Sequence, residues 1–158
     1  MSTFRDNNLS LNPMTPENEN AVYAFLNKTE VARWISSGYA GPKHGGSSLR
    51  PLNDFMGSCL LAFVIIDHSR DQTGHTVRKR CDGLVGFLPL TDPKARDATI
   101  FTYLEDVYYS PRENSRSADS DILVNFLVDY AFSELGMHRV SASVIEANTH
   151  ALDLFHRL

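Results

Sequence analysis

The segment LVDYAFSELGMHRVSASVIEANTHALDLFHRL (127–158) decides the fold. Apolar residues from Leu123 to Ala131 recur at helical spacing, and Gly136 supplies a natural helix stop. Residues 139–145 then read as a strand, and Asn148 opens a final amphipathic helix. The pattern predicts a helix, a strand and a second helix in close succession.

The sequence upstream predicts a strand, two helices and three further strands. The predicted strands are 9–11, 58–66, 82–90 and 99–109, and the two predicted helices occupy 15–28 and 29–37. The three consecutive strands can form an antiparallel meander. The unit from 99 to 145 should form a right-handed parallel crossover. We therefore expect an α/β fold (α+β mixed sheet) with helices on both faces.

Length and composition place bounds on the function. The 158 residues suit one domain spanning 1–158, and the net charge of −4 gives no support to a nucleic-acid partner. Two cysteines without clustered Cys/His spacing indicate free thiols and no metal site. The first residues show no leader, and the longest apolar run (59–66) is too short for a bilayer. We expect a cytoplasmic protein without membrane contact.

Three segments of the sequence, in the same order along the chain, resemble a known protein family. LVGFLPL (84–90), YLEDVYYSP (103–111) and the segment 127–158 resemble the GNAT superfamily of acyl-CoA-dependent N-acyltransferases, and most of all its ribosomal-protein and amine acetyltransferase branch. The resemblance implies a GNAT-like fold, acetyl-CoA as cofactor, and a primary amine of a small molecule or protein as acceptor.

In that family the pantetheine arm of the cofactor inserts between the fourth and fifth strands. The resemblance implies that backbone groups of Val107, Tyr108 and Tyr109 bind it. The family's next turn normally reads Arg/Gln-x-x-Gly-x-Gly/Ala and holds the pyrophosphate on the first amides of a helix. Arg116 or Ser115 stands where the family has its leading basic residue, Ala118 and Ser120 stand near its glycines, and Ser117 belongs to the same turn. Asn148 matches a family asparagine that contacts the cofactor or caps the last helix.

The predicted pyrophosphate turn, SRSADSD (115–121), departs from the family because it has no glycine and carries Asp119 and Asp121. Two like charges about 5 Å apart repel by roughly 3 kcal/mol at an effective dielectric near 20. The same aspartates would stabilise a helix N-terminus without any ligand. For Arg116 two interpretations are equally supported: contact with an anion, or a solvated loop residue.

The resemblance also suggests catalytic residues. Glu105 matches an acidic residue that accepts the amine proton directly or through water. Strand alternation would place Asp106 on the opposite face. Phe155 stands where many members have a tyrosine that protonates the thiolate, so we read Phe155 as core. The candidates to replace that tyrosine are Tyr103, Tyr108 and Tyr109, of which we select Tyr109.

The acceptor pocket in the family is lined by the early helices and the loop that follows them. The matching residues here are Trp34, Tyr39 and His44, although Trp34 also fits a core position. Family members usually continue past the fourth helix with two more strands, whereas this sequence ends at Leu158. We expect an exposed sheet edge and a homodimer.

Fold alone does not fix function, so three function classes stay open. The first is an N-acetyltransferase. The second is a binding module that has lost CoA-dependent transfer. The third is an enzyme of another class, such as an isomerase, cyclase or decarboxylase.

Overall fold

A computed structural model describes residues 5–6, 9–35, 50–68, 80–90, 92–105, 108–109 and 117–158. The strands are β1 (Arg5–Asp6), β2 (Leu9–Asn12), β3 (Leu61–Asp67), β4 (Arg80–Phe87), β5 (Asp97–Leu104) and β6 (Arg139–Ala142). The helices are α1 (Glu19–Leu26), α2 (Thr29–Ile35), α3 (Arg50–Ser58), α4 (Ser117–Ser133) and α5 (Thr149–Arg157). The short strand β1 was not predicted.

The six strands form one sheet in the order β1-β2-β3-β4-β5-β6. All neighbouring strands are antiparallel except β5 and β6, which are parallel and are connected along the chain by α4. This confirms the antiparallel meander and the mixed sheet. Among the helices that the structure describes, none combines the length and the apolar character needed to cross a bilayer.

Helices cover both faces of the sheet, each over its own apolar core. One core joins β2–β5 to α4 and α5, with Leu123, Leu127 and Leu154 fully buried or nearly so. The other joins the opposite face to α1 and α2 through residues such as Val22 and Phe25. Cys59 and Cys81 are free thiols, and burial raises the pKa of Cys81 to about 12. The prediction of helices on both faces is confirmed.

Strand β5 ends at Leu104, so the prediction of a strand continuing to Tyr109 was wrong. The Glu105 N–H still donates to the Asp82 carbonyl of β4 at 3.1 Å. The Tyr108 N–H donates to the Glu105 carbonyl at 3.0 Å, and neither Tyr108 nor Tyr109 belongs to a strand. The β-branched and aromatic composition of this segment favours a strand, but hydrogen bonds to other parts of the fold override that preference.

Gly136 ends α4, as predicted. Its φ of +62° lies in the left-handed region that glycine adopts at low cost. The chain reverses there, and the Met137 N–H donates to the Ala131 carbonyl at 2.9 Å. Strand β6 follows three residues later and stops at Ala142, earlier than the predicted Ile145.

A buried carboxylate joins β4 to the turn after β5. Asp82 is fully buried and accepts hydrogen bonds from Arg80 Nε at 2.6 Å and from the Tyr108 hydroxyl at 3.1 Å. Tyr108 is also fully buried, and its carbonyl accepts a hydrogen bond from Ser120 Oγ at 2.7 Å. The pairing with Asp82 raises the pKa of the Arg80 guanidinium. These contacts fix the start of α4 against the central strands.

Replacing Asp82 with alanine tests this network. The substitution removes the carboxylate that accepts from the buried Tyr108 hydroxyl and from Arg80, so we expect a loss of about 2–3 kcal/mol in the free energy of unfolding, measured by urea denaturation. Asp97→Ala is the matched control, because Asp97 pairs with Arg139 at 2.7 Å on the surface. The control should lose less than about 1 kcal/mol. Equal losses in the two variants would contradict the structural role of Asp82.

Candidate active site

Strands β5 and β6 pair over only four residues and then separate. The register runs from Asp97 opposite Arg139 to Ile100 opposite Ala142. Beyond this point a cavity of about 200 Å³ opens between the two chain segments. We name this cavity the β5–β6 cleft. Its described lining is 99–104, 143–145, Val31, Leu88, Tyr109, Asn148, Ala151 and Phe155.

The cleft passes from one face of the sheet to the other. Successive side chains of a strand point to opposite faces. Ile100 and Leu104 lie in the core under α4 and α5, whereas Phe101 and Tyr103 pack in the core under α1 and α2. Because all four residues line the cavity, it is accessible to groups held on either face.

One edge of β5 is exposed inside the cleft. The carbonyl of Thr99 and the N–H of Glu105 point to β4, so alternation turns the backbone groups of Thr102 and Leu104 towards the β6 side. No described strand pairs with them there, since the β6 register stops opposite Ile100. The Tyr109 hydroxyl donates to the Thr102 carbonyl at 3.2 Å. Tyr109 therefore covers part of this edge with a polar group.

Two residues predicted to contact the cofactor, Tyr108 and Ser120, form hydrogen bonds with other residues of the chain. The Tyr108 N–H donates to the Glu105 carbonyl, and the Tyr108 carbonyl accepts from Ser120 Oγ. Ser120 is fully buried, so its hydroxyl does not face solvent. Tyr108 is not among the residues that line the cleft, whereas Thr102 and Leu104 of β5 are.

The predicted pyrophosphate turn leads into α4, which begins at Ser117. The first amides of a helix have no partner within the helix. Ala118 is exposed at this end. Asp121 pairs with Arg157 of α5 at 2.9 Å, so one of the two negative charges is offset within the chain. This contact lowers the electrostatic cost of an anion near the α4 N-terminus.

Asn148 caps α5 and also lines the cleft. Its side-chain oxygen accepts a hydrogen bond from the Ala151 N–H at 3.2 Å. The capping interpretation is therefore confirmed, and the contact with cofactor stays a prediction. Phe155, about two turns further along α5, packs against the core under α4 and α5 and borders the same cavity.

Glu105 occupies the end of β5 and forms an ion pair with Lys28, which follows α1. The side chain of Glu105 is 15% exposed and that of Lys28 is 38% exposed. Glu105 is not among the cleft-lining residues, although its neighbour Leu104 is. The prediction for Asp106 lies outside the described residues. No local sequence pattern indicates the contact between Glu105 and Lys28, since the two residues lie 77 positions apart.

The titratable side chains that line the cleft, among those described, are Tyr103 and Tyr109. Burial, with a smaller contribution from Cys59, raises the pKa of the Tyr103 phenol. Tyr103 is thus a neutral hydrogen-bonding group at physiological pH. In the described part of the chain, no three His, Cys, Asp or Glu side chains come together as metal ligands would.

Several predicted site residues lie outside the described residues. These are Tyr39, His44, Val107 and Arg116. Trp34 belongs to α2, but its side chain is not among those described, and the same holds for Ser117 in α4.

Comparison with known proteins identifies the fold. The structure is similar to the ribosomal-protein-S5-alanine acetyltransferase from Vibrio fischeri, with a TM-score of 0.68, 16% identity, and coverage of 100% of this chain and 82% of that one. It is also similar to the spermidine N-acetyltransferase from Vibrio cholerae in complex with CoA and spermine (TM-score 0.65, 18% identity, 96% and 80% coverage). A GNAT-family acetyltransferase from Bacillus anthracis has a TM-score of 0.66 at 15% identity, over 99% and 81% of the chains. The sequence matches no family profile and no curated protein.

Asn148 variants separate its two predicted roles. Asn148→Ser keeps a good capping group, so the free energy of unfolding should stay within about 0.5 kcal/mol, whereas Asn148→Ala should lose about 1 kcal/mol. If the amide also contacts the cofactor, both variants should bind CoA about threefold to tenfold more weakly in calorimetric titrations. Unchanged CoA affinity in Asn148→Ser would show that Asn148 is only a cap.

Proposed function

Since the chain has the fold of the GNAT acyl-CoA N-acyltransferases, we propose that it moves an acetyl group from acetyl-CoA to a primary amine of a small molecule or protein. The observation that carries this proposal is the cleft that crosses the sheet where β5 and β6 separate. Such a cleft lets two reactants approach one another from opposite faces.

The exposed edge of β5 suits the pantetheine arm of CoA. This arm contains two amide groups in an extended chain, and an extended chain can pair with an unpaired strand edge. The backbone groups of Thr102 and Leu104 supply that edge here. Apolar side chains from α5, including Ala151 and Phe155, border the same space and would exclude water from the thioester.

In the proposed reaction the amine nitrogen attacks the thioester carbonyl carbon. The C–N bond forms and the C–S bond breaks, so the electron pair of the broken bond leaves with the CoA sulfur. The nitrogen loses one proton to a base, and the thiolate gains one proton from an acid. Holding the amine and the thioester together in one cleft supplies the orientation that this direct transfer needs.

Glu105 and Tyr109 are the proposed proton carriers. Glu105 lies at the end of the strand that forms the cleft and would accept the amine proton through a water molecule. The Tyr109 hydroxyl lies in the cleft, bonded to the Thr102 carbonyl, and would protonate the departing thiolate. Backbone amides at the exposed β5 edge would polarise the thioester carbonyl.

The pyrophosphate of CoA would lie at the N-terminus of α4, contacted by Arg116 and by the first amides of the helix, including those of Ser117 and Ala118. The ion pair of Asp121 with Arg157 supports this placement because it offsets one negative charge. The glycine-free turn and the buried Ser120 hydroxyl favour the alternative function. In that alternative the chain binds no CoA and is either a binding module or an enzyme of another class.

We also propose that the protein forms a homodimer. Strand β6 is the outermost described strand on its side of the sheet, and most of its residues are exposed. Unpaired strand edges of this kind pair readily with another chain.

Calorimetric titration with acetyl-CoA and with desulfo-CoA tests the proposed cofactor. Both should bind, because they share the pyrophosphate and the pantetheine amides and differ only at the reacting sulfur. Bound ligand should also raise the melting temperature by mass action. Absence of heat with both ligands up to high micromolar concentration would reject the transferase and leave the alternative function.

Glu105→Gln tests the proposed base. Removing a general base should lower kcat by about 100-fold or more at unchanged CoA affinity. Lys28→Met is the matched control, since it removes the other half of the same ion pair; it should change kcat by less than about fivefold. Equal losses of kcat in both variants would show that the ion pair is structural and that Glu105 is not the base.

A further inference from the structure

One hydrogen bond in the β5–β6 cleft uses a backbone group that we have assigned to the cofactor. The Tyr109 hydroxyl donates to the Thr102 carbonyl at 3.2 Å. This carbonyl belongs to the part of β5 beyond the pairing with β6, which ends opposite Ile100. Thr102 is also one of the two strand positions, with Leu104, that would pair with the pantetheine amides.

The Tyr109 side chain lies inside the cleft, between β5 and the first turn of α5. Tyr109 lines the cavity together with Thr102 and Asn148. Its ring centroid is 6.4 Å from that of His150, which belongs to α5, and 7% of the residue is exposed. The hydroxyl therefore meets the carbonyl in a site partly shielded from bulk water, where a hydrogen bond is electrostatically stronger than in water.

A cofactor amide would approach the same oxygen at about the same distance. An amide nitrogen that pairs with a strand edge stands about 2.9 Å from the carbonyl oxygen. The Tyr109 hydroxyl already stands at a comparable distance, on the side of β5 that faces away from β4. A ligand N–H that reaches Thr102 either displaces this hydroxyl or shares the oxygen with it, and in both cases binding gains less free energy.

The proposed catalytic role of Tyr109 makes the same demand from the other side. A phenol has one proton to donate. Tyr109 therefore cannot donate to the Thr102 carbonyl and protonate the departing thiolate at the same time. If Tyr109 is the acid, its bond to Thr102 must break before the transfer is complete.

From these observations we propose that Tyr109 is an intramolecular competitor of the cofactor, and that the pantetheine arm releases its hydroxyl for catalysis by taking over the Thr102 carbonyl. The inference rests on the proposed transferase function and adds a control on the same site. In the final step the phenol O–H bond breaks as the S–H bond of CoA forms, and water then returns a proton to the phenolate. The acid is thus available only when the thioester is bound beside it.

Calorimetric titration of CoA into the unaltered protein and into Tyr109→Phe tests the competition. Phenylalanine keeps the ring and removes the competing hydroxyl. We expect CoA to bind Tyr109→Phe about threefold to tenfold more tightly, the effect of one hydrogen bond that the ligand no longer displaces. Adenosine 3′,5′-bisphosphate, which has the nucleotide end of CoA and no pantetheine arm, should bind both proteins equally. An equal gain for this ligand would overturn the proposal.

Turnover and thermal stability give two further readouts. Tyr109→Phe should lower kcat by about 100-fold, because the acid is lost while the cofactor binds more tightly. Without CoA the variant should melt at a lower temperature, since the Thr102 carbonyl loses its donor, and CoA should raise its melting temperature more than that of the unaltered protein. A merely structural role for the hydroxyl would instead weaken CoA binding together with stability, and that result would overturn the proposal.

Tyr130→Phe is the matched control, because it removes the same hydroxyl group outside the cleft. Tyr130 belongs to α4, packs against Phe126 and is not among the described residues that line the cavity. The control should leave the affinity for CoA and kcat within about twofold, as expected for a substitution remote from the site. Tighter CoA binding in Tyr130→Phe than in the unaltered protein would overturn the assignment to Tyr109.

The titrations also separate a failure of this inference from a failure of the proposed function. Binding of CoA to the unaltered protein with equal or higher affinity than to Tyr109→Phe would overturn the competition and leave the cofactor proposal standing. Absence of CoA binding to both proteins would reject the transferase and the competition with it. Binding to Tyr109→Phe alone would support both.

Discussion

The early end of the parallel pairing between β5 and β6 is the constraint on which the rest of the site depends. Four residue pairs are enough to fix the two strands side by side, and then the chain leaves a strand edge open in the interior. Buried backbone groups without partners are costly, so such an edge needs polar groups or a ligand. The Tyr109 hydroxyl meets part of this need at Thr102. The remaining edge makes the cleft a place where an extended amide chain would bind.

Tyr108 connects β4, the residue that follows β5 and the start of α4. Its hydroxyl reaches Asp82 of β4, its N–H reaches the carbonyl of Glu105, and its carbonyl accepts from Ser120 in the first turn of α4. Tyr108 is thus hydrogen-bonded both to Glu105, the proposed base, and to the end of α4 proposed for the pyrophosphate. Three hydrogen bonds hold Tyr108 in place, and a fixed position here suits a site that must orient two reactants.

Much of the fold was predictable because local patterns and long-range packing agree. The apolar spacing of α4, the left-handed stop at Gly136 and the Asn148 cap each appear in the structure as the sequence predicts. The prediction of a strand to Tyr109 failed for a physical reason. Strand preference of aromatic and β-branched residues is weak, and hydrogen bonds from residues remote in sequence decided the backbone there. The candidate site was less predictable, since Lys28 and Asp82 approach it from other elements.

The sequence by itself determined the order of the elements, the mixed sheet and the absence of glycine from the turn before α4. These follow from periodicity, capping chemistry and composition, which act between residues close in the chain. Only the tertiary structure decided that Glu105 faces Lys28, that Asp121 faces Arg157, and that a cleft opens where β5 and β6 separate. Those pairings join residues far apart in sequence, so they depend on how the sheet and helices pack and leave no local pattern to read.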